Sequence, residues 1–425
     1  MGEPAQSSPV ASAWRWVPTL YFCEGLPYVA VMTVSVAMYK NLGISNADIA
    51  FTTSWLYLPW FIKPLWSPLV DRYRTKRGWI LGAQFLIGAG LGAVALAVPA
   101  PFFFRATLAA FWLLAFSSAS HDIAADGFYL LALPPHGQAA FVGVRSTFYQ
   151  LATVAAGGGL VFGVGRLAPT VGARSAWAAA FVAMAIWFGL AAAYHFAVLP
   201  RPAADAPVRR SRVLAADYLA VFAAFFRKKG IVTALAFLLL YRLAQAQLVK
   251  LEIPFLLDPR PAGGLGLSLD QEAFLYGTIG TAALVAGGLL GGYAISRLGL
   301  KRLLWPMVIS MYLPATAFVA LAAAQPQSLT IIGAALTLEQ FGYGFGFSAY
   351  MVYMMIVAEG EHRTAHYALC TGFMALGMML PGMPAGRIQE HLGYTGFFVW
   401  VCVATLPSFA ATALIKVDPA YGRKT

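Results

Sequence analysis

The chain has 425 residues, of which 60% are hydrophobic and only 11% are charged. Soluble globular proteins are nearly half apolar and about a quarter charged, so this composition excludes that class and indicates that most of the chain lies in lipid. The formal net charge of +12 would suggest a nucleic-acid partner in a soluble protein. In a membrane protein, the positions of Lys and Arg report the orientation of the loops instead.

Apolar runs of about 20 residues, the length that crosses a bilayer, predict twelve membrane helices. The even number places both termini on one side. Lys and Arg concentrate in the loops of that side, which the positive-inside rule assigns to the cytoplasm. The opposite loops and helix ends contain only Lys40, Arg105, Arg166, Arg174, Lys250, Arg260 and Arg387. The predicted spans are residues 16–39, 48–70, 78–99, 105–131, 141–164, 176–199, 230–254, 272–295, 303–324, 329–357, 366–385 and 395–416.

Two similar basic turns indicate that the sequence is internally duplicated. One turn follows the second predicted span and the other follows the eighth, and they share the placement of three cations: Arg72, Lys76 and Arg77 in the first, Arg297, Lys301 and Arg302 in the second. Repeats with the same chain direction are typical of transporters built from two parallel halves. We predict cytoplasmic tails over residues 1–15 and 417–425, six-helix halves over 16–199 and 230–416, and a cytoplasmic linker over 200–229.

A glycine repeat supports the same division. Gly165 and Arg166 are followed by Gly172 after the fifth span, and Gly386 and Arg387 are followed by Gly393 after the eleventh. Other glycine clusters favour close helix packing over a ligand role, among them 287–288, 291–292 and the alternate positions from 342 to 346.

Ionisable residues inside the predicted spans are candidates for function, because a charge in hydrocarbon is costly. Most of them lie in the first helix of each predicted three-helix unit, and these four helices would line one central cavity in a duplicated transporter. The candidates for binding substrate or protons are Glu24, His121, Asp122, Asp126, Arg145, Arg242, Gln245 and Glu339.

The fourth span is the richest in such groups. Asp122 and Asp126 are one helical turn apart and disfavour joint ionisation, and the adjacent His121 titrates near neutrality, so these residues form a plausible proton-binding group. The alternative is that the two carboxylates pair with Arg145 or Lys63 and only orient helices.

The first and seventh spans hold the other main candidates. Glu24 precedes Gly25-Leu26-Pro27, where a proline kink would free backbone carbonyls beside a carboxylate. Arg242 could hold an anionic substrate group through bidentate hydrogen bonds, and its alternative role is a salt bridge to Glu339.

These residues lie in motifs that resemble the AmpG muropeptide permeases and the related acetyl-CoA transporters of the major facilitator superfamily. The resemblance covers nearly the whole chain. It rests on Glu24-Gly25-Leu26-Pro27, Lys63-Pro64-Leu65-Trp66-Ser67-Pro68-Leu69-Val70-Asp71-Arg72-Tyr73, Ser118-Ala119-Ser120-His121-Asp122-Ile123-Ala124-Ala125-Asp126, Tyr241-Arg242-Leu243, Glu339 with Gly344, Gly346, Ser348 and Ala349, and Tyr367-Ala368-Leu369.

The resemblance implies an all-α membrane protein with twelve helices in two pseudo-symmetric halves. It also implies import of anhydro-muropeptides or related sugar compounds across the bacterial inner membrane, driven by the proton gradient. The basic turns correspond to the gating motif of the superfamily, in which Asp71, Arg72 and Arg77 would stabilise the outward-facing state. Lys63, Arg297 and Arg302 belong to the same predicted gate.

Two departures from the family pattern fall in the presumed cavity. His121 stands where the family usually has Gln, and Arg242-Leu243-Ala244-Gln245 stands where Lys-Leu-Gly-Asp is expected. His121 could replace the missing acid in proton coupling. In the second basic turn, Ser296 replaces the acid of the first.

We predict a secondary transporter that works as a monomer by alternating access, without a cofactor or metal. Within the transporter class, an acetyl-CoA-like substrate or export of a lipophilic compound is an alternative. A membrane acyltransferase that uses His121 as base and Asp126 as its orienting group is a rival from another class. A sensor that binds substrate without moving it is a third possibility.

Overall fold

The computed structural model describes residues 12–203, 205 and 215–418, and these are helical apart from short turns. The side chains of residues 68, 71, 72, 135, 139, 142, 215–219 and 364 are not described. The helices are α1 Val17–Asn41, α2 Asn46–Trp55 with Leu58–Arg72, α3 Lys76–Ala97, α4 Phe103–Ala132, α5 Pro135–Thr153 with Val154–Leu160 and Val161–Val171, α6 Ala173–Val198, α7 Ala215–Phe226, α8 Ile231–Leu257, α9 Leu269–Leu298, α10 Leu300–Ala324, α11 Leu329–Ala358, α12 Arg363–Gly382 and α13 Ala385–Leu414.

The predicted twelve-helix membrane architecture is confirmed. Ten of the described helices are long and apolar enough to cross a membrane. The two remaining predicted spans lie on α2, which is divided at Leu56 and Tyr57, and on α12. The short helix α7 precedes the seventh span and does not count among the twelve.

Two compact units make up the described chain. Unit 1 consists of the described parts of Met1–Val34, Leu65–Leu160 and Leu167–Ser211, and unit 2 of those of Ser35–Pro64, Val161–Arg166 and Arg212–Thr425. Unit 2 therefore includes residues 35–64 and 161–166 from the predicted N-terminal half. The chain passes from unit 1 to unit 2 directly after two π-helical turns, which are Ala30–Val34 in α1 and Val154–Leu160 in α5.

Aromatic side chains fill the core of unit 1 between α1, α4 and α5. Trp16 and Phe128 are buried and meet edge to face at 5.3 Å, and Tyr21 meets Tyr129 in the same way at 5.8 Å. Edge-to-face pairs add to the burial of apolar area, so these contacts fix α1 against α4.

In unit 2, glycines bring α9 and α11 together as predicted. A Cβ at Gly287 would collide with the backbone of α11 at Phe341, and a Cβ at Gly344 would collide with the Leu284 carbonyl of α9. Small residues allow helix backbones in membranes to approach in this way, which maximises van der Waals contact.

Three helix pairs are joined by a single glycine with a positive φ. Gly172 (φ 85°) separates α5 from α6, Gly299 (φ 81°) separates α9 from α10, and Gly393 (φ 68°) breaks the helix inside α13. Residues with a Cβ rarely adopt these angles, so glycine is required. The break at Gly393 makes residues 394–414 the twelfth membrane helix, close to the predicted 395–416.

The earlier glycine of each repeat marks a close helix contact in unit 2. A Cβ at Gly165 would meet the backbone nitrogen of Asp270 at the start of α9, and a Cβ at Gly386 would meet the Asn46 carbonyl at the start of α2. The Arg166 guanidinium also lies 3.8 Å from the Asp270 carboxylate. The sequence repeat thus corresponds to a repeated helix contact.

Candidate functional site

Helix α8 is broken at Tyr241 and Arg242, between the segments Ile231–Leu240 and Leu243–Leu257. Hydroxyl groups of neighbouring helices satisfy the carbonyls around this break. Tyr350 donates to Leu238 O at 2.7 Å, Ser408 donates to Leu240 O at 2.8 Å, and Tyr312 donates to Tyr241 O. Irregular backbone is tolerated at membrane depth only where its polar groups are satisfied in this way.

The break positions the Arg242 side chain. Its backbone (φ −108°, ψ 13°) caps the second segment, and the residue is 7% exposed. The guanidinium donates to the Tyr343 hydroxyl and lies 4.8 Å from the centre of the Phe347 ring. Aromatic faces hold a guanidinium in a fixed orientation, so this cation is suited to bind a planar anionic group such as a carboxylate.

Glu339 lies on α11 one turn before Tyr343 and is fully buried. Its carboxyl oxygens accept hydrogen bonds from Gln245 Nε2 at 3.1 Å and from Gln340 Nε2 at 2.7 Å. The alternative ion pair between Arg242 and Glu339 is not among the salt bridges between described residues. The structure therefore brings the predicted residues Arg242, Gln245 and Glu339 together, with amides as the donors to the carboxyl.

Glu252 is a buried carboxyl that the sequence analysis missed. It lies on α8 two residues before the predicted end of the seventh span, where a side chain can extend to the membrane surface. In the structure it is 0% exposed and accepts a hydrogen bond from the Tyr276 hydroxyl at 2.7 Å. Its carboxyl also meets that of Glu339. The rule that ionisable residues inside spans are candidates would have found it.

In unit 1, Asp126 and Arg145 form an ion pair, which was one of the two alternatives for Asp126. Arg145 Nη2 lies 2.6 Å from Asp126 Oδ1, and the Tyr21 hydroxyl donates to the same oxygen at 3.3 Å. The guanidinium lies 4.3 Å from the centre of the Tyr21 ring, and Glu24 also interacts electrostatically with it. Asp122, one turn earlier on α4, is half-buried.

His121 lies apart from this ion pair. It is fully buried, and its Nε2 is 3.1 Å from Gln84 Nε2. Gln84 contacts His195 Nδ1 at 2.8 Å, and His195 Nε2 contacts the Thr19 hydroxyl at 2.9 Å, which completes a hydrogen-bonded chain across α1, α3, α4 and α6. The role of His121 in proton binding stays a prediction.

His121 and Asp126 do not share the hydrogen bond that an acyltransferase base and its orienting group require. Residues five apart on an α-helix point about 140° apart around the axis. Accordingly, His121 bonds to Gln84 while Asp126 bonds to Arg145. A histidine base and its orienting carboxylate must share a hydrogen bond.

The predicted gate is described only in part. The side chains of Asp71 and Arg72 lie outside the described residues. Arg77 donates to the carbonyls of Phe196 and Leu199 at the end of α6. The Asp205 carboxylate accepts hydrogen bonds from the backbone nitrogens of Lys76 at 2.6 Å and Arg77 at 3.0 Å. Asp205 thus caps α3, a role that the sequence analysis did not assign.

The other predicted gate residues lie in unit 2. Arg297 and Arg302 are exposed on either side of Gly299, and Lys63 is half-buried in α2. A further cation, Lys228, caps the end of α11 by donating to the carbonyls of Val357 and Glu359, both at 2.6 Å. Partial burial lowers the pKa of Lys228.

Two lysines that were assigned to outer loops and helix ends have polar partners in the structure. Lys250 is 2% exposed and donates to Thr53 at 2.9 Å. Lys40 Nζ lies 2.5 Å from Asp258. Asn46 and the Tyr394 hydroxyl also donate to the Asp258 carboxylate, and Asn46 donates to Gln389 as well.

Comparisons with known proteins agree with this architecture. The family model of the Major Facilitator Superfamily matches residues 19–382. The chain belongs to the major facilitator superfamily. Among its relatives is the anhydromuropeptide permease of Escherichia coli K12, which is 26% identical over 411 residues covering 95% of this chain and 80% of that protein.

Solved structures of the superfamily share the fold at low sequence identity. The nucleoside transporter NupG matches with a TM-score of 0.67 at 15% identity over 97% of this chain and all of that one. A D-xylose-proton symporter matches with a TM-score of 0.69 at 13% identity, covering 97% and 99%. This superfamily member is a multi-pass membrane transporter similar to AmpG permeases, and it is not an enzyme.

Proposed function

We propose that this transporter imports anhydro-muropeptides or related amino-sugar and sugar-peptide compounds, driven by the proton gradient across the bacterial inner membrane. The observation that carries the substrate class is the similarity to the anhydromuropeptide permease over 95% of the chain. The chain would act as a monomer, with both termini in the cytoplasm.

The contacts of unit 2 support an anionic sugar-peptide. Muropeptides carry carboxylates on the peptide and hydroxyl groups on the sugars. The Arg242 guanidinium, held against Phe347 and Tyr343, is suited to a carboxylate. The amide of Gln245 is suited to hydroxyl groups.

The first test is uptake of radiolabelled anhydro-muropeptide into proteoliposomes, with and without an inward proton gradient. We expect accumulation above the equilibrium level only with the gradient. Arg242→Gln should reduce uptake at least tenfold, since about 1.4 kcal/mol of lost binding is a tenfold change. Arg105→Gln, which removes an exposed cation at the start of α4 outside the predicted gate and binding residues, serves as the control for loss of a cation. No uptake by folded wild-type protein would contradict the substrate, and gradient-independent equilibration would contradict proton coupling.

A further inference from the structure

Two buried carboxyl groups meet in unit 2, one from α8 and one from α11. Glu252 and Glu339 are both 0% exposed, and their carboxyls contact each other directly. Buried carboxylates in proteins are normally paired with a cation or a metal, because an isolated buried charge is very costly. The partners of these two carboxyls therefore indicate their protonation state.

Among the described residues, the hydrogen-bond donors to this pair are neutral. Tyr276 donates to Glu252 Oε2, while Gln245 and Gln340 donate to the two oxygens of Glu339. Glu252 Oε1 is buried, and no donor from the described part of the chain reaches it. A hydrogen bond between two carboxyls needs a proton on one of them, and such a proton also supplies a donor that the pair lacks.

The charged and titratable groups around the pair do not neutralise it. Arg242 is directed to Tyr343 and Phe347, and Lys250 to Thr53, and among described residues no salt bridge reaches either glutamate. From α9, Tyr276 contacts the pair, and the buried Glu272 lies near Tyr276 and carries no positive charge. The described residues contain no group of three or more His, Cys, Asp or Glu side chains that could hold a metal ion.

We propose that Glu252 and Glu339 share a bound proton and form the proton-binding site of this transporter. Two carboxyls in contact cannot both ionise without strong repulsion, so one proton belongs to the pair. As the coupling site, the pair rests on the proposed function. Its link to substrate is short: Glu339 precedes Tyr343 by one turn of α11, and Tyr343 holds Arg242.

Infrared difference spectroscopy tests the proton site without any substrate. Spectra of the purified protein at two pH values should contain the C=O stretching band of a protonated carboxyl, lost in Glu252→Gln and in Glu339→Gln. The control is Glu361→Gln, an exposed carboxylate between α11 and α12, which should keep the band. A band that persists in both buried variants would overturn the proposal. Size-exclusion profiles matching the wild type show that the variants are folded.

Transport then tests coupling, with anhydro-muropeptide as the probe. In the Glu252→Gln variant, the stimulation of uptake by a proton gradient should fall more than counterflow does. The control variant Glu361→Gln should keep both activities. Equal losses of both activities would overturn the coupling role. If wild-type protein shows the titrating band and takes up no muropeptide, the proposed substrate fails while the proton site stands.

Discussion

At the scale of single residues, hydroxyl groups determine where the chain can depart from helical geometry. The carbonyls freed at the break in α8 would each be costly in a membrane without a donor. Tyr350, Tyr312 and Ser408 supply those donors. Its hydrogen bond to the Leu238 carbonyl gives Tyr350 a structural role.

We expect Tyr350→Phe to destabilise the protein, because the Leu238 carbonyl would be left buried without a donor. The cost of an unsatisfied buried group is about 1–3 kcal/mol. Thermal denaturation of the purified protein should show a lower apparent Tm than for Tyr293→Phe, which removes a hydroxyl from an exposed residue. Equal Tm values for the two variants would refute this assignment.

Sequence reasoning at this scale found residues but not partners. The intramembrane positions of Arg242, Gln245 and Glu339 marked them as candidates, whereas the hydrogen bond from Gln245 to Glu339 was not predicted. Glu252 was missed because its position near the end of a span allowed contact with water. The separation of His121 from Asp126 follows from helix geometry, whereas the partner of His121, Gln84, lies on another helix and has no signal in the local sequence.

At the scale of helices, each copy of the glycine repeat forms a close contact with the start of another helix. Gly165 lies against the start of α9, and Gly386 lies against the start of α2. Sequence periodicity predicted that the repeat existed and that glycines allow close packing. It could not show which helix would lie opposite, because that depends on the tertiary arrangement within unit 2.

Gly386→Ala should be destabilising, since the added methyl group would overlap the Asn46 carbonyl. Overpacking of this kind costs about 1–3 kcal/mol. The matched control is Gly163→Ala on α5, where a Cβ meets nothing within 4 Å and the helix should gain about 0.5–1 kcal/mol. The apparent Tm should fall for Gly386→Ala and be equal or higher for Gly163→Ala. A higher Tm for both would show that the contact at Gly386 is loose.

At the scale of the whole molecule, composition alone indicated a membrane protein, and the twelve spans followed from apolar run lengths. The family motifs covered most of the chain, and the matching of residues 19–382 to the superfamily bears them out. The two compact units could not have been predicted, because residues 35–64 belong to unit 2 through contacts such as Lys40 with Asp258 that are distant in sequence.

The orientation of the chain in the membrane rests on the distribution of Lys and Arg and is directly testable. A green fluorescent protein fused to the C-terminus should fluoresce, because it matures in the cytoplasm. Alkaline phosphatase fused after Ala100, between α3 and α4, should be active, because it requires the periplasm. The reverse pattern would show that the positive-inside rule misassigns this protein.

Because Gly172, Gly299 and Gly393 are single-residue connections, the helices that they join cannot move apart or rotate independently of each other. One inserted residue that extended the following helix would rotate all its side chains by about 100° and displace its buried face. Changes in length during evolution should therefore be excluded from these three positions. Epitope tags and fusion partners belong elsewhere in the chain.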